Sequence, residues 1–129
     1  QPSQTPIVVA RVAEMYLIKA EALGATNGLS TLKEFMNKRY ATVSLPSSMS
    51  DTEFQNQILD ERHRELYAEG QRWYDLCRLN KVEEVMNAVY AKDSGRHAQE
   101  NLFNENSYLL AIPQGAIDQN ENLIQNPGY

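Results

Sequence analysis

Apolar side chains recur at three- and four-residue steps in two stretches of this chain. Phe54, Ile58, Leu59, Leu66 and Tyr67 form one stripe, and Val82, Val85, Met86 and Val89 form another. The first predicts a long helix running to Glu69. Its start is signalled by Ser50-x-x-Glu53, a capping-box pattern, with Asp51 adding acid to the first turn. Gly70 marks a stop or a kink, after which Arg72 to Leu79 continues as helix. The second stripe predicts an amphipathic helix from about Lys81 to Tyr90. Upstream, good helix formers fill Arg11 to Leu23, and Gly24 follows at the position that favours left-handed backbone. Thr31-x-x-Glu34 is a second capping-box pattern and predicts another helix to about Ala41. The short Gly24 to Ser30 connection makes these two an antiparallel hairpin, and Ala13, Ala20 and Ala22 of the first helix allow close approach of a neighbour.

The remaining stretches break the periodicity. Thr42 to Ser50, with Pro46 among serines, reads as a loop, and so does the polar stretch Lys92 to Ser107. Tyr108 to Ile112 is a short extended apolar run before Pro113, which starts a helical turn through Ile117. The hairpin is similar to a tetratricopeptide unit, but no repeat of about 34 residues runs through the chain to make an array. The predicted fold is mostly α: an irregular helical bundle with one tetratricopeptide-like hairpin and a loop-rich C-terminal tail. With 129 residues, 42% of them hydrophobic, residues 1–129 are expected to form a single domain with one core, hiding about two thirds of the unfolded surface.

Charge and cysteine content narrow the function. A net charge of −5 and a pI near 5.0 leave no basic footprint for nucleic acid. The single cysteine, Cys77, excludes an intrachain disulfide and a cysteine-based zinc site, and its helical setting predicts a small buried hydrophobe. No stretch approaches the roughly 20 apolar residues of a membrane-spanning helix. The charged residues concentrate between Glu61 and Arg78, where Glu61, Glu65 and Glu69 recur every fourth position and share one helical stripe. Paired acids of this kind do acid–base work when their environments drive their pKa values apart. Arg62, Arg64, Arg72 and Arg78 would instead lower both members of a Glu61–Glu65 pair, so no catalytic residue is assigned. Asp60 and His63 have the offset of two metal ligands, but a usable site wants three or four and His97 sits in an unrelated loop. No metal and no cofactor are expected.

The run Glu61-Arg62-His63-Arg64-Glu65-Leu66-Tyr67-Ala68-Glu69-Gly70-Gln71-Arg72-Trp73-Tyr74-Asp75-Leu76-Cys77-Arg78 resembles the signature of the SusD/RagB family of outer-membrane nutrient-binding lipoproteins of Bacteroidota. Arg11-Val12-Ala13-Glu14-Met15-Tyr16-Leu17-Ile18-Lys19-Ala20-Glu21-Ala22 resembles its helix R-x-A-E-x-Y-L-x-x-A-E-A. Tyr108 to Gln114, Ile117 to Asn120 and Gln125-Asn126-Pro127-Gly128-Tyr129 resemble its C-terminal tail. The resemblance covers most of the chain except residues 82 to 107. Asn80 stands where glycine is common, which predicts helix continuing into Lys81, and Ala111 replaces a frequent proline. Family members are much longer and carry a signal peptide and a lipidated cysteine. The resemblance therefore implies the C-terminal portion of a longer protein, touching the membrane only through a lipid anchor absent from this chain. It further implies non-enzymatic capture of glycans, or other nutrients, at the outer-membrane surface and delivery to a TonB-dependent, SusC-like transporter. The alternative is a helical protein–protein interaction module of tetratricopeptide type, and a third reading is a hydrolase using Glu61 and Glu65.

The charged run reads as a partly buried ionic network between helices, made of Glu14, Glu21, Arg62, Arg64, Glu65, Glu69, Arg72, Asp75 and Arg78. In it Glu21 pairs with Arg64 or Arg72, and Glu65 or Glu69 with another arginine. Sugars pack their C–H faces on Trp or Tyr rings while polar groups take the hydroxyls. Trp73, Tyr74, Tyr16 and Tyr67 fall on helical faces and are expected to pack inside. Tyr90, His97 and Phe103, in or beside the polar loop that the resemblance does not cover, are the candidates for a ligand contact.

Overall fold

Helix α1 spans Val12–Asn37 and is broken once, at Gly24, whose φ of 69° and ψ of 176° lie outside the helical region. Glycine enters that region without a side-chain clash. This single residue reverses the chain. Tyr16 and Phe35 have ring centroids 6.4 Å apart, and Lys38 Nζ lies 5.5 Å from the centre of the Tyr16 ring. A straight helix would separate positions 16 and 35 by about 28 Å. Residues 10–92 and 103–129 are described in this computed structural model. Among them the elements are α1, α2 (Asp51–Glu65), α3 (Arg72–Arg78), α4 (Val82–Lys92), a 3₁₀ turn (Glu105–Tyr108) and α5 (Gln114–Ile117), with no strand. The chain is mostly α, as the periodicity predicts.

The hairpin is present but its turn is tighter than expected. The second arm begins at Ala25, not Thr31, and ends at Asn37 rather than near Ala41. Thr31 lies inside the arm. The reason is Gly28, where an added Cβ would sit 2.0 Å from the Ala20 carbonyl oxygen and 2.9 Å from Phe54 Cζ. The arms meet there through backbone, and only a helix that starts ahead of Gly28 brings its bare Cα to that contact. Ala13, Leu17 and Ala20 on one arm face Ala25, Leu32, Phe35 and Met36 on the other, and Phe54 and Ile58 of α2 complete the core. Tyr16, Leu29, Val43, Leu45 and Met49 pack around it half-buried.

Both bonds of the predicted capping box open α2. Ser50 Oγ accepts from the Glu53 N–H at 3.3 Å, and Glu53 Oε2 accepts from the Ser50 N–H at 2.8 Å. The Ser50 backbone and hydroxyl donors hold the Glu53 carboxyl below its ordinary pKa. Ser50→Ala is expected to cost about 1 kcal/mol, as cap removals typically do, seen as a lower urea midpoint of unfolding. At its other end α2 stops at Glu65, four residues short of the expected Glu69. The guanidinium of Arg11 donates to the Glu65 carbonyl, the acceptor that the Glu69 N–H would need to extend the helix. That N–H bonds Leu66 O at 3.1 Å instead, and Ala68 (φ 61°) and Gly70 (φ 77°) turn the chain. Tyr67, expected on the apolar stripe, falls in this turn and is 76% exposed.

The contacts divide the chain into two compact units, Gln1–Arg72 and Trp73–Tyr129. In the second, α3 ends where Asn80 takes a left-handed φ of 54°, so the helix does not run on into Lys81. Lys81 N bonds Leu76 O at 2.8 Å and Asn80 N bonds Cys77 O at 3.1 Å, the bond pair of a Schellman stop, with asparagine in the place glycine usually holds. Asp75 and Leu76 are buried, which puts Tyr74 on the opposite side of α3, 69% exposed and not packed as expected. Cys77 is half-buried rather than buried, and burial raises its thiol pKa. Leu109 is extended, and Pro113 precedes α5 as predicted. The tail is clasped to this run by side chains. Gln125 offers Oε1 to the Ile112 N–H at 2.8 Å and Nε2 to its carbonyl at 2.9 Å. Asn126 Nδ2 donates to Leu110 O at 2.6 Å, and the Tyr129 hydroxyl donates to Leu109 O at 2.9 Å.

Candidate functional site

The charged run forms a site on the first unit whose acids are all answered. Glu61 is fully buried, and its carboxylate accepts from the Tyr40 hydroxyl at 2.7 Å and from Arg64 Nη1 at 2.8 Å. Burial and the bond to that carboxylate raise the Tyr40 pKa. Glu65, one turn further along α2, receives Arg11 Nη1 at 2.5 Å and Arg39 Nε at 3.1 Å. Burial pushes the Glu65 carboxyl up, but the hydrogen bonds from Arg11 and Arg39 outweigh it and hold the pKa below the ordinary value. Arg11 also spans Glu69, with Nε and Nη2 at 3.0 and 2.7 Å from Oε1, and its own pKa rises through those bonds to Glu69 and Glu65.

Three of these partners, Arg11, Arg39 and Tyr40, were not among the network residues read from the sequence. They stand 54, 26 and 21 positions from the acids they meet, so no local spacing announces them. Arg11 alone carried a signal. It precedes the first turn of α1, where the positive end of the helix dipole disfavours a cation, so an acid from elsewhere must hold it there. Arg62, 5% exposed, reaches Glu14 of α1 at 3.8 Å. Arg64 lies on Glu61, and Arg72 Nη1 donates to the Leu59 carbonyl at 3.1 Å. Glu21 is half-buried on α1. Asp75 and Arg78 pair within α3 at 3.0 Å, in the other unit.

The arrangement can hold helices together and is poorly suited to acid–base chemistry. The Glu65 pKa is held down rather than raised toward neutrality, and both carboxylates are occupied by donors, Glu61 with no surface left to meet a substrate. His63 is exposed overall, and the partial loss of water around its ring, together with the nearby charge of Arg72, lowers its pKa. Among the described residues no group of three or more His, Cys, Asp or Glu could hold a metal ion, and no helix is long and apolar enough to cross a membrane.

Two of the three ligand candidates sit together in the second unit. Phe103 is half-buried, with its ring centroid 5.6 Å from that of Tyr90 and 6.2 Å from that of Trp73. The Asn87 amide clamps its backbone, donating to Phe103 O and accepting from Phe103 N, both at 2.9 Å. Their rings therefore serve the packing of α4 against the segment that follows it. His97 lies outside the described residues.

Comparison with known proteins bears on the same residues. The model of the SusD family matches residues 1–129. SusD-like protein P2 of Formosa agariphila is 34% identical over 98% of this chain and 26% of its own length. SusD-like protein P38 of the same organism is 38% identical over 66% of the chain and 19% of its own length. The starch-binding protein SusD of Bacteroides thetaiotaomicron is 30% identical over 97% of the chain and 22% of its own length. The chain thus spans about a quarter or less of these curated relatives. No solved structure matches it significantly. Because the family pattern runs from its first residue to its last, the chain belongs to the SusD family.

Proposed function

We propose that this chain is the C-terminal portion of a longer protein that binds glycans, or other nutrients, without transforming them. It acts at the outer-membrane surface, held by a lipid anchor carried elsewhere in the polypeptide, and hands its ligand to a TonB-dependent, SusC-like transporter. The observation that carries this reading is family membership over the whole chain, with a relative named for starch binding among the matches. The non-enzymatic part is supported by the burial of Glu61 and by the arginines that occupy Glu65. A second reading, a helical module for a protein partner, is favoured by the hairpin of α1. On its first arm Val12, Met15 and Ile18 are 70%, 47% and 44% exposed.

A glycan array probed with the full-length protein separates the two. Retention of at least one glycan, with no reducing ends released on prolonged incubation, is the expected result. A blank array together with stoichiometric recovery of a protein partner would favour the interaction module. Turnover of a glycoside that disappears in Glu65→Gln would revive the hydrolase.

A further inference from the structure

In the second unit the tail folds back beside the 3₁₀ turn and leaves a pocket of about 220 Å³, lined by Asn104, Asn106, Ser107, Gly128 and Tyr129. None of these side chains is charged. Tyr129 is 62% exposed as a residue while its hydroxyl is pinned to Leu109 O at 2.9 Å, so its ring is held in one place at the pocket. Asn104 and Ser107 are fixed by the cap of the turn: Asn104 Oδ1 accepts from the Asn106 N–H at 2.9 Å, and Ser107 Oγ accepts from the Asn104 N–H at 3.0 Å. Those bonds leave the Asn104 amide N–H groups and the Ser107 O–H free to donate outward. The Asn106 side-chain amide, both donor and acceptor, makes no hydrogen bond to the described residues. Gly128 is needed here, since at its φ of 94° a Cβ would lie 2.8 Å from Asn106 Cβ.

We propose that this pocket is a subsite for a single neutral sugar ring, resting on the reading of the protein as a glycan binder. The ring lies against Tyr129, and its hydroxyls meet Asn104, Asn106 and Ser107. An aromatic surface beside fixed amide and hydroxyl groups is the combination that a sugar, apolar on one face and hydroxylated at its edge, requires. The volume is below that of sites for drug-sized ligands, which run from about 300 Å³ upward, and so takes one ring of a chain and not several. Among the described residues the lining holds no cation, so the charge of a uronic acid or sulfated sugar would be desolvated there without one of them as partner.

The test is isothermal titration of the full-length protein with neutral hexasaccharides of glucose, mannose, galactose and xylose, and with oligogalacturonate. Asn106→Ala, which breaks no hydrogen bond among the described residues, is expected to weaken the bound neutral oligosaccharide about tenfold. Tyr129→Ala is expected to weaken it at least as much, and Tyr129→Phe, which keeps the ring, less than fourfold. The unfolding midpoint of Asn106→Ala stays at the parent value. Unchanged affinity in both alanine variants overturns the subsite, as does oligogalacturonate binding that the same variants abolish. If neutral oligosaccharides bind the parent and both variants equally, the subsite falls while the glycan-binding reading stands. If neither these probes nor the array gives any binding, both fall.

Discussion

Gly28→Ala is expected to destabilise the protein by about 2–3 kcal/mol, although alanine is the better helix former by about 1 kcal/mol. The added methyl would sit 2.0 Å from the Ala20 carbonyl oxygen, and that neighbour is backbone. A flexible side chain could swing aside, whereas a carbonyl can yield only if the arm that carries it moves. Separating the arms would also loosen Phe54, whose Cζ is 2.9 Å from the same point, and with it the junction of α1 and α2. Gly24→Ala gives the control. Nothing lies within 4 Å of an added Cβ there, so only the strain of φ 69° is felt, about 1–2 kcal/mol. Urea unfolding should rank parent, Gly24→Ala and Gly28→Ala in falling order of midpoint. A Gly28→Ala variant as stable as the parent would mean that the arms do not meet at that backbone contact.

The second large effect belongs to Arg11. Its guanidinium serves Glu65, Glu69 and the last carbonyl of α2, and Glu65 has only 13% of its side chain exposed. Removing one partner of a buried pair costs about 3–5 kcal/mol. Arg11 is itself 30% exposed and Arg39 still reaches Glu65, so Arg11→Ala should cost about 2 kcal/mol, the solvent-screened share of that range. Lys38→Ala, which breaks a pair with Glu34 exposed by 60% and 58%, should cost less than about 1 kcal/mol. The acid dependence has a definite sign. The folded-state pKa of Glu65 lies below its ordinary 4.5, so its contribution is complete above that value and is lost as pH falls through the folded-state value. Tyr40 acts oppositely: its folded pKa lies above the ordinary 10.0, and its contribution is complete below that pH and is lost as pH rises through the raised value. Arg11→Ala should flatten the acid limb of the stability profile and leave the alkaline limb in place.

These two sites also mark how far the sequence could be read. The Ser50–Glu53 cap, helix α4 and the helical turn after Pro113 were legible because each is set by residues within a turn of one another. The hairpin is legible too, but the capping pattern at Thr31 puts the start of its second arm there and spreads the connection over Gly24 to Ser30, whereas Gly24 alone makes the turn. What decides the matter is tertiary, the contact of Gly28 with Ala20 across the hairpin. Asn80 was read as helix because it is not glycine, yet asparagine enters the left-handed region more readily than other side chains do. The ionic run reads as a network from its own acids and arginines. Its strongest partners, Arg11, Arg39 and Tyr40, come from the hairpin, and charge pairing across helices leaves no periodic trace.

The charged signature is expected to support the fold without itself holding the ligand. The most direct test compares parent, Arg11→Ala and Glu65→Gln full-length proteins for affinity toward an array-positive glycan at 10 °C, alongside their unfolding midpoints. Affinities within twofold of the parent are expected, with both midpoints lowered. Loss of binding at an unchanged midpoint would contradict it and make the signature the binding site.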